Sequence, residues 1–494
     1  MNYLLGIDLG TSSVKVVIID AQGNIKGHGQ CEYIIEYPRI NFAEQNPEVW
    51  WTSSCKAIYN ALQDSKLQPA QINGIGLSGQ MHGLVCVDEK GAVLRNAIIW
   101  CDRRSREEVS YIHSLFSPIQ LGKLVANPLL PGFFVASLLW IQRKEPHVYK
   151  RIYKILLPKD FIRFKLTGKM ETDITDAAST LIFDVKNSKW SEELITTLRL
   201  DEKIFPSFGK SFAVAGELTT LAAKETNLIK GTPVVFGGAD QPVQALGNGI
   251  VDVDTGTLTI GSGGQFFFQL NKFWYDSELK THTFNNILPN SWYLMGAVPN
   301  CGTALRWCVK DLFGLTSYSE SDMFAASVLP GCDKLFFLPY LLGDRCPRLM
   351  ANSCGVFWGL KAKHTRSHLI RAVMEGISFS LKDVFVYLNQ KKELPKKIII
   401  TGGGAQSEFW VQMIVDILGI PMKRSLMREQ AGIGAAILAG LGIQSFYSLS
   451  DAVSKFVKLE EKFFYPDEEN REAYFAIYQN FTKLVDRLKL NFDF

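Results

Sequence analysis

Leu4-Leu5-Gly6-Ile7-Asp8-Leu9-Gly10-Thr11-Ser12-Ser13-Val14-Lys15-Val16-Val17-Ile18-Ile19 holds two apolar runs broken by one polar Gly/Thr/Ser turn. A turn signal follows at Asp20-Ala21-Gln22-Gly23-Asn24. The pattern predicts two strands joined by a tight turn and a third strand after Gly23, an antiparallel opening. It recurs far downstream, where Leu258-Thr259-Ile260 runs into Gly261-Ser262-Gly263-Gly264 and resumes as Phe266-Phe267-Phe268. Two copies of one opening predict an α/β chain of two similar halves. The boundary is expected near residues 245–255, dividing the chain into 1–248 and 249–494. No low-complexity linker separates the halves, so they should pack closely around a shared cleft, where ligands usually bind.

The segments between these units alternate. Asn46-Pro47-Glu48 has the cap-then-proline order that opens a helix over 49–62. Residues 73–77 read as a buried strand ending in Ser78-Gly79-Gln80-Met81-His82-Gly83, and a strand pair is expected to turn at Asp88 to Gly91. Helices are predicted over 133–140, from Pro158 to a stop at Gly168, and over 368–388, where Ile370, Val373, Ile377, Leu381 and Val384 share one face. Two more strands end in glycines: 234–236 before Gly237-Gly238-Ala239-Asp240, and 398–400 before Gly402-Gly403-Gly404.

Composition narrows the function. The chain has 494 residues, 47% hydrophobic and 21% charged. That is a globular composition with ample length for buried cores. Its net charge of +4 provides no basic excess for nucleic acid. Nine cysteines, odd in number and without a Cys-x-x-Cys, argue against a zinc ribbon or disulfide framework and fit a reducing cytoplasm. The N-terminus does not read as a signal peptide, and no apolar run reaches the ~18 residues of a membrane span.

The Gly-rich turns carry the chemistry. Such turns expose backbone N–H groups that cradle phosphate oxygens. One alone is weak, but three in this order, two of them opening equivalent halves, form a pattern. Neither a P-loop nor a dinucleotide fingerprint is present. Asp8 and Asp240 each end a strand at a turn of this kind. An aspartate there can stabilise a turn, hold Mg²⁺ through water, or accept a proton from a substrate hydroxyl. Phosphoryl transfer to an alcohol uses the last two together.

Several stretches resemble the FGGY family of carbohydrate kinases: Gly6 to Lys15, Gly79-Gln80-Met81-His82-Gly83, Trp100-Cys101-Asp102-Arg103-Arg104, Leu157-Pro158-Lys159-Asp160 and Thr172-Asp173-Ile174-Thr175-Asp176-Ala177. Further matches are Gly355 to Leu360, Ala372-Val373-Met374-Glu375 and Gly402 to Glu408. Within that family the Gln-Met-His loop resembles the xylulose kinases. The resemblance implies a two-domain actin/hexokinase/Hsp70-like (ribonuclease H-like) fold with a central ligand cleft. Residues 1–248 would bind sugar and 249–494 nucleotide. ATP and Mg²⁺ are implied, with phosphorylation of D-xylulose to D-xylulose 5-phosphate.

The resemblance also assigns residues. Asp240 would be the general base on the sugar hydroxyl, and Asp8 would organise Mg²⁺ through water. Met81, His82, Trp100 and Gln241, with Asp240, would contact the sugar. Gly10, Thr11, Ser12 and Lys15, with Gly261 and Ser262, would face the phosphates; Gly403, Gly404 and Ala405 would line the adenosine pocket. The chain departs from the family pattern at Ser137, where a lysine is usual, and at Gln241, where xylulose kinases often have Asn. The partners implied are a small sugar and ATP, with no nucleic acid and no membrane. Family members are often dimers, but no exposed patch in the sequence marks such an interface. His364 and His368 could suggest a metal pair but lack a third ligand, and read as a helix start. Trp50-Trp51 reads as a packing pair.

Overall fold

A computed structural model describes residues 3–344, 346–350 and 353–488 of the chain. The opening hairpin forms as its pattern predicts. Strands β1 (Tyr3–Leu9), β2 (Ser13–Asp20) and β3 (Ile25–Glu32) make an antiparallel meander. Helix α1 (Pro47–Ser65) starts at Asn46, whose side chain accepts the Glu48 N–H. Strand β4 (Ile72–Gly79) then returns parallel to β1. Later segments β5 (Val214–Glu217), β6 (Pro233–Val235) and β7 (Gly238–Ala239) complete a sheet of order β5-β6-β4-β1-β2-β3, with β7 also on β4.

The second half repeats this plan. Strands β8 (Thr255–Ile260) and β9 (Gly264–Leu270) form the second hairpin, and β10 (His282–Asn285) and β11 (Trp292–Val298) extend it. Strand β12 (Lys397–Thr401) adds parallel to β8, β13 (Met422–Ser425) parallel to β12, and β14 (Leu459–Phe464) closes the edge. The order is β10-β11-β9-β8-β12-β13-β14. Three antiparallel strands followed by two parallel ones occur in both sheets, as expected of the duplicated ribonuclease H-like fold.

One difference lies at Asp88–Gly91. The turn forms, through the Gly91 N–H on the Asp88 carbonyl. Val85–Val87, however, forms its ladder with Lys154–Leu156, and only isolated bridges, Val87 to Val93 and Leu84 to Ile98, cross the turn.

Two helices knit the halves together. Helix α2 (Asp240–Gly247) follows β7, and helix α3 (Gln430–Gly442) is the Gly/Ala-rich run near the C-terminus. Although α3 belongs to the second half by sequence, it packs on β1, β4 and α2 of the first. Small residues allow the approach: a Cβ on Gly6 would lie 1.9 Å from the Gly432 carbonyl oxygen, and one on Gly434 2.0 Å from that of Val243. Trp50 and Trp51 are buried in the first core, as their pairing suggested. His368 folds back on Thr365 at the start of its helix. Among the described residues no helix is long and apolar enough to cross a membrane.

Candidate active site

Strand register brings the two aspartates to one edge. Asp8 on β1 lies opposite Lys15 on β2 and Ser78 on β4; Gly238 on β7 lies opposite Ser78, and Ala239 opposite Gly79. Strands β1, β4 and β7 are parallel, so their carboxyl ends coincide, where open α/β sheets bind ligands. Asp240 is the next residue after β7 and the first of α2. Asp240 therefore sits at a helix N-terminus, one strand away from the end of the strand that carries Asp8.

These carboxyls are electrostatically frustrated. Burial pushes Asp240 up to about 7, and the neighbouring charge of Asp8 adds to the shift; hydrogen bonds from the Gln241 backbone and side chain pull the other way. Burial likewise pushes Asp8 up to about 6, opposed by Ser78 and Lys15 and reinforced by Glu429. Asp240 Oδ1 is buried without a hydrogen-bond partner. Carboxyls held at such values suit proton transfer near neutral pH. Acidic groups facing one another, one with an unpartnered oxygen, also suit a divalent cation.

Around them the hairpin turn is braced. The Gly10 N–H bonds the Ser13 carbonyl. Gln45 Nε2 donates to the Thr11 carbonyl at 2.7 Å, and Trp100 Nε1 donates to Thr11 Oγ1 at 2.9 Å. Gln80 Nε2 donates to the Oε1 of the same Gln45 at 3.1 Å. Trp100 and the turn, assigned to different ligands in the sequence, thus hold one another. Ser12 is exposed at the tip. Lys15 Nζ lies 3.2 Å from Glu429, which precedes α3.

Met81 and His82 form a loop under the second sheet. His82 takes φ of +65°, in the left-handed region that a β-carbon disfavours. Its ring stacks on Phe133 with centroids 4.0 Å apart, and Nδ1 lies 2.7 Å from the Ser179 carbonyl. Tyr293 Oη, from β11, donates to Met81 Sδ at 3.8 Å. Both halves therefore shape this loop. Trp100 also lines a cavity of about 490 Å³ between the halves, with Asp102, Arg103, His282 and Asp344 on its walls.

A second cavity of about 660 Å³ opens where β8 and β12 end side by side. Gly261, Ser262, Gly403 and Gly404 line it. Ala405 does not, because its side chain turns into the core; Gln406 and Ser407 take its place on the wall. Tyr318, Asp322 and Trp410 complete the lining without having been read from the sequence. No motif flags them, since two separate helices, Tyr318–Ala326 and Glu408–Leu418, deliver them. Glu429 was also missed: an acidic residue before a helix is ordinary, and only folding sets it beside Lys15. Gln430 follows it, and its Nε2 donates to Thr401 Oγ1 at 2.8 Å, linking the end of β12 to the first hairpin.

Comparison with known proteins agrees with this geometry in both halves. A curated xylulose kinase of Staphylococcus epidermidis is 34% identical over 493 residues, covering 98% of this chain and 97% of that protein. The solved structure of ligand-bound xylulose kinase from Lactobacillus acidophilus superposes with a TM-score of 0.93 at 26% identity, covering 99% of this chain and 98% of that one. Gluconate kinase from the same organism gives 0.92, also at 26% identity, with the same coverage of each chain. Residues 3–247 match the N-terminal domain and residues 258–443 the C-terminal domain of the FGGY carbohydrate kinases. With its duplicated hairpins and the aspartate pair between them, this chain belongs to the FGGY family of carbohydrate kinases.

Proposed function

We propose that the chain transfers the γ-phosphoryl group of ATP to D-xylulose, giving D-xylulose 5-phosphate and ADP. Relatives named xylulose kinase at 34% identity over nearly the whole chain support the sugar, as does the Gln80-Met81-His82 loop. The observation that carries the mechanism is the Asp240 carboxylate at the start of α2, with its buried Oδ1 unpartnered. Residues 1–248 are assigned the sugar side of the cleft and 249–494 the nucleotide side.

In this reading the sugar hydroxyl bonds Asp240, which takes its proton as the oxygen attacks the γ-phosphorus. Gln241 steadies the carboxylate through its backbone and side chain. Met81, His82 and Trp100 fix the sugar so that one hydroxyl meets the phosphate in line. The Gly10-Thr11-Ser12 turn, Lys15, Gly261 and Ser262 face the phosphates, where backbone N–H groups and an ammonium offset their charge. Asp8 would hold Mg²⁺ through water, and the ion would neutralise charge on the phosphates when bound. The cavity beside Gly403 and Gly404 takes the nucleoside. Closure of the halves keeps water from competing as acceptor.

The test is ADP release from MgATP with purified protein, with D-xylulose, L-xylulose, D-ribulose, xylitol, glycerol and gluconate in turn and without sugar. Release confined to D-xylulose is expected. Strong release with another acceptor keeps the chemistry and overturns the sugar, and equal release without sugar overturns the kinase reading. Asp240→Ala should lose turnover by several orders of magnitude while staying folded; near-normal turnover would remove Asp240 as the base.

A further inference from the structure

Behind Asp240 lies a cluster of ionisable side chains that the chemistry above does not use. Lys159, Asp160, Arg163, Asp173 and Asp176 are all fully buried. Oxygens of the three aspartates converge within 4.8 Å, a spacing that could suggest a metal. Here the Lys159 ammonium fills the centre, 2.6 Å from Asp160, 3.1 Å from Asp173 and 3.3 Å from Asp176. Arg163 adds a second contact to Asp160 at 2.9 Å. The Lys159 ammonium therefore occupies the place a metal ion would take.

Its outward contacts run to the strand that delivers Asp240. Lys159 Nζ and Arg163 Nη1 each donate to the Phe236 carbonyl at 3.2 Å, at the end of β6. Asp173 Oδ2 accepts from Thr175 Oγ1 at 2.6 Å, from Thr175 N at 2.8 Å and from Ser211 Oγ at 2.9 Å. With its proton committed to Asp173, Thr175 Oγ1 accepts the Ala239 N–H at 2.8 Å. Ala239 is the residue before Asp240. The short helix Ile174–Ser179 that begins beside Thr175 ends at the carbonyl gripped by His82. Buried charges are costly to separate once paired, so the cluster resists displacement.

We propose that Thr175 is a positioning residue for the catalytic step, transmitting the fixed geometry of the Lys159-centred cluster to the Ala239 amide and so to the Asp240 carboxylate. The proposal rests on Asp240 acting as the base. Gly237 and Gly238 immediately precede Ala239; pairing of β7 with β4 holds the strand in register, and the Thr175 hydroxyl adds a side-chain anchor on the Ala239 N–H. Loss of the hydroxyl leaves the Ala239 N–H unpaired in a buried place and lets the peptide rotate. Misplacement of a reacting group by ~1 Å costs about 10²-fold in rate.

The experiment compares Thr175→Val, which removes the hydroxyl at nearly constant volume, with Thr175→Ser, which keeps it. Val is expected to lower kcat by about 30- to 100-fold with the sugar KM changed less than about threefold, and Ser to restore kcat to within about threefold. Ser211→Ala removes another donor to the same Asp173 oxygen without touching Ala239, and should leave kcat within about twofold. Folding is checked by ADP affinity, since the nucleotide cavity lies in the other half. Should Thr175→Val not accumulate, Thr175→Ala takes its place in the comparison.

Equal kcat in the Val and Ser forms overturns the proposal. So does a Ser211→Ala loss matching that of Val, which would make the effect one of cluster stability. Full activity in Asp240→Ala would instead overturn the base assignment on which the proposal rests, so the two failures are distinguishable.

Discussion

Asp240→Asn should abolish turnover and yet make the ligand-free protein more stable above neutral pH. Burial and the Asp8 charge raise the Asp240 carboxyl from an ordinary 3.8 to about 7. The folded chain then holds a proton that the unfolded chain has released, so stability falls as pH rises from about 4 through about 7 and stays lowered above that. At ~1.4 kcal/mol per pH unit, the full shift corresponds to about 4 kcal/mol once the group is ionised. Asn keeps the shape and an acceptor oxygen but carries no charge. Part of the gain is lost to relaxation, so ~1–4 kcal/mol is expected, and an unfolding entropy of roughly 1 kcal/mol/K for a chain of this length makes that about 1–4 °C in Tm. The assay is thermal unfolding of both proteins without Mg²⁺ or nucleotide, at about pH 5 and about pH 8. Asn should melt higher near pH 8 and by a clearly smaller margin near pH 5, where folded Asp240 keeps its proton and only the loss accrued between about pH 4 and 5 is present. The same difference at both pH values, or none at either, would refute the claim that the ionised carboxylate is the frustrated species.

The acid limb of kcat/KM should fall where Asp240 and Asp8 take up protons. Their raised values place it near pH 6–7 in the free enzyme rather than near 4; a rate flat down to about pH 5 would contradict both shifts. His82→Ala should raise the KM for sugar more than that for ATP, because the ring sits in the Met81 loop and away from the nucleotide cavity; steady-state kinetics with each substrate varied decides it. Gly6→Ala should destabilise the fold by about 1–3 kcal/mol or more, since its Cβ would lie 1.9 Å from the Gly432 carbonyl oxygen; urea unfolding checks this. Gly403→Ala should be tolerated better than Gly404→Ala, whose Cβ would meet Ile260 at 2.2 Å; Tm and the KM for ATP report the difference.

The sequence by itself determined the hairpins, because apolar runs, a Gly/Thr/Ser turn and strand-end aspartates are local signals of local geometry. It also located His82 and the two lining glycines Gly403 and Gly404, which sit in continuous motifs. Tertiary structure decided the rest. Parallel pairing of β1, β4 and β7 brings Asp8 and Asp240 to one edge across a separation of more than two hundred residues, and no residue pattern states that register. Helix α3 reads as an ordinary Gly/Ala-rich segment of the second half, but close approach at Gly432 and Gly434 seats it on the first. Ala405 adjoins Gly403 and Gly404, which line the second cavity, yet its own side chain points into the core. Glu429, Asp322 and Trp410 join their sites only through packing. The acceptor sugar is likewise a matter of side chains in the cleft, since structures named for xylulose and for gluconate share this fold with TM-scores of 0.93 and 0.92. Strand-end chemistry follows from short-range sequence; the placing of charges against one another follows from how distant strands and helices close.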